Sequence, residues 1–187
     1  MPNRLQIFTP DVPVHVVLCS NKSKPCFYAS EDYRYFLQCL QNYVTETFCA
    51  VHAYVLMSNH VHLLLTPKHE KSIVSLIDLL GESHTQYINR TYRENGSLLG
   101  ERFNCYIIHD GEHFLECQVY IELNPIRANI VSYPGEYPWS SYRANAHGVN
   151  NSPLTPHPLY LLLGNCRTQR MDAYRDLFDT VNNEYEC

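Results

Sequence analysis

The stretch "MSNHVHLLLTP", residues 57–67, decides the fold. Val51 to Met57 before it is apolar and rich in strand formers, and Ser58 with Asn59 is a hairpin-like turn. Two strands are therefore predicted, Val51–Met57 and His60–Thr66, with Pro67 closing the second. Residues i and i+2 of a strand project from one face. His60 and His62 thus point one way, while Val61, Leu63 and Leu65 point the other and demand a cover of helices. Two imidazoles roughly 7 Å apart along a strand can converge on one divalent ion if a third ligand comes from elsewhere. The pair alone is a weak signal, since two half-exposed strand histidines with no task would look the same.

Working outward, Val12–Cys19 ("VPVHVVLC") is a short β-branched strand followed by a polar loop. Ser30 is the expected N-cap of a helix with Glu31 and Asp32 in its first turn and Phe36, Leu37, Leu40 and Val44 on its apolar face. From Lys71 to Tyr92, Ile73, Leu76, Ile77, Leu80, His84 and Ile88 mark a long amphipathic helix that stops near Asn95 and Gly96. Phe103–Ile108 is a fourth strand. Asp110 then caps a helix running toward Asn124, where Pro125 is expected to enforce a break. The order β-α-β-β-α-β is the ferredoxin-like split βαβ pattern, an α+β fold with an antiparallel sheet, here with an added C-terminal helix. That helix must arrive on the histidine face. Beyond Val131 the chain turns aromatic and turn-rich ("SYPGEYPWSSYRA"), and Thr168 to Cys187 reads as a charged terminal helix or mobile tail. We expect one domain over 1–131, with 132–187 as an extension and tail packed on it or trailing from it.

A chain of 187 residues with 45% hydrophobic content can bury one sizeable core. No N-terminal stretch has the basic start and apolar core of a signal peptide, and no apolar run approaches the roughly 20 residues of a membrane helix, so a cytoplasmic protein is expected. The eight cysteines, at 19, 26, 39, 49, 105, 117, 166 and 187, form no C-x-x-C pair and read as scattered reduced thiols. Fourteen basic against nineteen acidic residues give a formal charge of −5, which argues against nucleic-acid binding by bulk electrostatics. Any such site must be local.

In "CQVYIELNPIRANIV", residues 117–131, Tyr120 and Asn124 are four apart and share a helix face. A phenol beside a cation-bound phosphate is a potential nucleophile. With 15 tyrosines in the chain, however, a helical tyrosine is more often core or rim.

The segments "YVLMSNHVHLLLTP", "YIELNPIRANIV" and "YPWSSYRANA" together resemble the single-tyrosine HUH transposases, in particular the REP-associated tyrosine transposase branch related to small insertion-sequence transposases. The likeness runs from about Arg4 to Leu163, with the motifs in the family's order. It implies an enzyme that nicks and rejoins single-stranded DNA beside a hairpin through a 5′-phosphotyrosine, using Mg2+ or Mn2+. The metal-binding histidine pair maps to His60 and His62, the nucleophile to Tyr120 and the polar third ligand to Asn124. The departures fall on the DNA side. "LCSNKSKP" puts Cys19 and Ser20 where an Arg-Gly pair is usual, and "GSLLGERFNC" has Leu99 for Trp and Asn104 for Lys. Lys22, Lys24, Arg90, Arg93, Arg102 and Arg127 remain as candidate phosphate contacts. Trp139 and Tyr142 either stack a flipped base or pin the C-terminal segment to the sheet. Two further readings compete: a domesticated, non-cleaving hairpin-DNA binder, favoured by the acidic balance, and an RNA-binding split-βαβ module, whose sheet would carry aromatics rather than histidines. A conjugative relaxase is disfavoured, because no third histidine accompanies the pair and the tyrosine follows it.

Overall fold

Strict alternation of side chains gives the sheet two different faces, and that difference organises the molecule. The structure, a computed structural model, describes residues 7–20, 25–93, 95, 99, 103–109, 111–151 and 153–184, the last five as backbone only. Strands β1 (Val14–Cys19), β2 (Cys49–Leu56), β3 (His60–Pro67) and β4 (Phe103–Ile107) form one sheet in the order β2-β3-β1-β4. Every neighbouring pair is antiparallel. Helices α1 (Ser30–Glu46) and α2 (Ser72–Tyr92) follow β1 and β3. This is the α+β, ferredoxin-like arrangement expected from the element order.

On one face, Val14, Val16 and Leu18 of β1 and Val61, Leu63 and Leu65 of β3 bury against Phe36 and Leu40 of α1 and Ile73, Leu76 and Leu80 of α2. On the other, Ala53, Val55 and Leu64 meet Phe114 and Ile121 of α3 (Gly111–Arg127). A bulge in β2, where the register slips between Val51 and Ala53, turns Val51 and Tyr54 to the α1–α2 layer and Ala53 and Val55 to the α3 layer. The extra residue, His52, is buried with both ring nitrogens bonded, one to the Thr155 carbonyl at 2.7 Å and one to Thr66 Oγ1 at 2.9 Å.

Two local expectations are corrected. The N-cap of α1 is Ala29, not Ser30. Ala29 offers no side-chain acceptor to the first turn; Asp32 instead reaches back to the N–H groups of Tyr28 (2.6 Å) and Ala29 (2.9 Å) and so fixes the entry to the helix, and the Tyr92 hydroxyl donates to the same carboxylate at 3.0 Å. Nor does Pro125 break the helix added after the split pattern: α3 runs through it to Arg127. A proline here deprives the Ile121 carbonyl of its i+4 donor. Asn124 replaces that donor with its side chain, Nδ2 lying 3.1 Å from the Ile121 carbonyl and 3.0 Å from that of Tyr120. The turn after Arg127 puts Asn129 in the left-handed region at φ 53°, with the Ile130 N–H returning to the Pro125 carbonyl. Helix α2 likewise ends at Tyr92, with Arg93 left-handed at φ 55°. The expected stop at Gly96 and cap at Asp110 lie outside the described residues.

The C-terminal segment closes the outer edge of β2. Its backbone pairs with the strand through Leu56 N–H to Trp139 O, Ser141 N–H to Tyr54 O and Thr155 N–H to Val51 O, all at 3.0 Å or less. Trp139 stacks on Tyr33 with ring centroids 4.7 Å apart, and Tyr142 is buried, so both pin the segment rather than present a face to a base. Short helices α4 (Tyr142–His147) and α5 (Pro158–Leu161) lead to α6 (Arg167–Glu184). The expected choice between helix and tail falls to helix over these residues, and Tyr174 and Phe178 of α6 bury with Val119 and Leu123 of α3. Among the described residues all cysteines are free thiols, and no helix is long and apolar enough to cross a membrane.

Within this second interface lies a fully buried carboxylate, Glu122 of α3. It accepts hydrogen bonds from Ser141 Oγ (2.5 Å), Asn145 Nδ2 (2.8 Å) and Tyr174 OH (2.9 Å). Glu122→Ala leaves the Asn145 and Tyr174 donors without this acceptor, while Ser141 Oγ keeps the Tyr54 carbonyl at 3.2 Å; at roughly 1–3 kcal/mol for each unmatched donor, urea denaturation should show a loss on the order of 2 kcal/mol or more. Burial, the largest influence, pushes the Glu122 carboxyl up to about 7 against the pull of its three donors. The folded chain therefore keeps this proton longer than the unfolded chain does. The resulting contribution to stability is present in full below the ordinary carboxylate range and is lost as pH rises through about 7. Melting temperatures of the wild type and of Glu122→Gln, whose amide does not titrate, should diverge against the wild type over that window.

Candidate active site

The histidine face of the sheet is covered by α3 along most of its length and left open at one end, where β1 finishes and β3 begins. There His60, His62, Tyr120 and Asn124 line one cleft of about 440 Å³, completed by Val17, Cys19, Ser20 and Asn59. Each arrives for a local reason. His60 and His62 share a face of β3, as the two-residue repeat requires. Their rings, however, approach to 4.9 Å between centroids, closer than the backbone spacing. Tyr120 and Asn124 lie one turn apart on α3, with the Tyr120 ring centroid 6.2 Å from that of His62.

His62 is buried, against the expectation of a half-exposed residue, while His60 is intermediate. Burial lowers the His62 ring to about 3, helped by its neighbours His15 and His60, and it lowers His60 as well. Both rings are thus neutral at physiological pH and keep a lone pair for a cation. The His60 Nδ1–H donates to Asn59 Oδ1 at 2.7 Å, which leaves Nε2 as the nitrogen available to a ligand. In Asn124 the amide nitrogen is committed to the carbonyls of Tyr120 and Ile121, so Oδ1 is the atom available to a ligand. Among the described residues no group of three or more His, Cys, Asp or Glu side chains could hold a metal ion. Two imidazoles with an amide oxygen form a partial set that fits a cation also coordinated by phosphate and water, as Mg2+ and Mn2+ commonly are.

Tyr120 is partly exposed, and the Arg127 guanidinium lies 4.5 Å from its ring centroid. Arg127 is the candidate phosphate contact that the structure brings against Tyr120. Arg90 and Arg93 sit at the end of α2, in the layer across the sheet from Tyr120. Lys22, Lys24 and Arg102 lie outside the described residues.

One residue of the site escaped the sequence reading. His15 of β1 is buried, and its Nε2 lies 2.9 Å from His62 Nδ1. The two rings stack at 5.1 Å, and the Tyr120 ring meets His15 edge-on at 6.1 Å. Burial lowers this imidazole to about 4. The signal was a histidine inside the β-branched run "VHVVLC", but its face becomes meaningful only once β1 is paired with β3.

No curated protein matches the chain in sequence. Among solved structures, a REP-associated tyrosine transposase bound to a REP hairpin superposes with a TM-score of 0.66 at 14% identity, over 84% of this chain and 93% of that one. A candidate transposase from Deinococcus radiodurans R1 reaches 0.45 at 17% identity, over 62% and 92% of the two chains. A tRNA(His) guanylyltransferase from Saccharomyces cerevisiae reaches 0.48 at 10%, over 89% and 77%. The first likeness establishes a shared fold, and the other two are too distant to carry an argument. A family profile described as "Transposase IS200 like" matches residues 9–123, a span holding His60, His62 and Tyr120 and more than half of the chain, and the protein therefore belongs to the IS200-like transposase family.

Proposed function

We propose that this transposase nicks and rejoins single-stranded DNA beside a hairpin, with Tyr120 as nucleophile and His60, His62 and Asn124 as ligands of a divalent metal. The observation that carries the reading is the meeting of all four side chains in one open cleft, although β3 and α3 are some sixty residues apart in sequence. The hairpin bound by the structurally similar REP-associated transposase supports the choice of substrate.

The Tyr120 phenol oxygen attacks the scissile phosphorus, the bond from phosphorus to the 3′ oxygen breaks, and the phenol proton is made up on the departing 3′ hydroxyl through solvent. The product is a 5′-phosphotyrosine, which keeps the energy of the phosphodiester for rejoining by a 3′ hydroxyl. His60, His62 and Asn124 would hold Mg2+ or Mn2+, which would supply Lewis-acid polarisation of the phosphate. Arg127, packed on the Tyr120 ring, holds that ring at the cleft and offers positive charge to the phosphate backbone. Tyr106 on β4 and Tyr133 beyond α3 are not one helical turn from Asn124, so neither replaces Tyr120.

A 3′-labelled single-stranded hairpin incubated with Mn2+ should give a label-bearing protein band on a denaturing gel that maps to Tyr120. Tyr120→Phe should bind DNA and Mn2+ as the wild type does, yet lose cleavage by on the order of 10⁴-fold or more. Free 5′-phosphate product without an adduct would make the protein an ordinary metal nuclease, and binding without any nicking would make it a hairpin-binding protein.

With a net charge of −5, few phosphates can be neutralised. The dependence of affinity on salt, about −0.9 in log–log slope per phosphate contacted on duplex and somewhat less on single strands, should therefore be shallow for the hairpin. Fluorescence anisotropy across a salt series measures it, and tight, sequence-blind duplex binding with a steep slope would contradict the reading.

A further inference from the structure

We infer that His15 is a positioning residue that accepts a hydrogen bond from His62 and so fixes which His62 nitrogen faces the cleft as a ligand. The inference rests on the proposed metal site and adds a part beyond the histidine pair, Tyr120 and Asn124. It begins from the 2.9 Å separation of His15 Nε2 and His62 Nδ1. A contact of that length between two ring nitrogens holds one proton, and the choice of owner decides the chemistry at the far side of each ring. With the proton on His62 Nδ1, His62 Nε2 keeps its lone pair and can ligate. With the proton on His15 Nε2, a neutral His62 carries its own proton on Nε2 and turns a donor toward the cleft.

The geometry favours the first arrangement being built in. His60 already has an Nδ1–H donor satisfied by Asn59 Oδ1 at 2.7 Å, leaving Nε2 for a metal. His15 gives His62 the corresponding partner, so the two candidate ligands would be supported alike, from Nδ1. Orientation of a ligating imidazole through its second nitrogen is a recurrent way of raising ligand basicity. Position adds to the case. His15 lies on the α3-facing side of β1, the strand that pairs Val17 with His62, and its ring is stacked on that of His62 at 5.1 Å. Rotation of His62 away from the cleft would break both contacts.

The test begins on the metal-free protein, with long-range ¹H–¹⁵N correlation of the histidine side chains. His62 should carry its proton on Nδ1 in the wild type. A proton on Nε2 instead overturns the inference without recourse to any variant. His15→Gln places an amide oxygen close to the position of Nε2 and should keep that tautomer, whereas His15→Phe fills the space without an acceptor and should lose it. Affinity for Mn2+ alone, read by electron paramagnetic resonance, should fall roughly 10–100-fold in His15→Phe and recover in His15→Gln. An unchanged affinity and unchanged tautomer in a folded His15→Phe overturns the inference. Wild-type protein that binds no Mn2+ overturns the metal reading instead, and the tautomer in the metal-free protein still decides the role of His15.

Discussion

The carboxylate of Glu122 sits at the junction on which the placement of the candidate site depends. It is fully enclosed, and Ser141, Asn145 and Tyr174 bring donors to it from the loop before α4, from α4 itself and from α6. An enclosed carboxylate is costly unless such donors meet it, so it selects strongly for one register of α3 against the C-terminal elements. The neighbouring apolar residues agree with that register. Phe114 and Ile121 face the sheet, and Val119 and Leu123 face α4 and α6. With two sides of α3 committed, the remaining edge carries Tyr120 and Asn124 into the cleft.

The same economy of placement appears at the end of that helix. Pro125 takes a donor out of the backbone ladder, and Asn124 returns one from its side chain. The repair keeps α3 helical as far as Arg127, whose guanidinium then lies over the Tyr120 ring. It also commits the Asn124 amide nitrogen to the helix and leaves the oxygen for a ligand. Structural repair and the proposed ligation thus use opposite ends of one amide group.

Electrostatically the cleft is quiet. Burial holds His15 and His62 far below neutrality as bases, so these imidazoles bring lone pairs rather than charge. The chain as a whole is acidic. In the proposed reaction, attraction for a phosphate would therefore come from the metal and from a few local groups such as Arg127 rather than from overall charge.

The alternation in "HVHLLLTP", the helical spacing of Ile73, Leu76 and Leu80 and the order of elements were enough to specify the ferredoxin-like sheet, because period and chain order are local properties of a sequence. Shared faces were legible for the same reason, which is why His60 with His62 and Tyr120 with Asn124 could be named as pairs. Where one element meets another was decided by tertiary structure. The break expected at Pro125 did not occur, since the Asn124 side chain supplied a donor that a propensity argument does not count. Arg90 and Arg93, equal to Arg127 as charges in the sequence, fell in the layer across the sheet. His15 joined the site through the β1–β3 register, which pairs residues some forty-five positions apart. The donors to Glu122 come from as far as Tyr174, and their convergence is a property of the packed core alone.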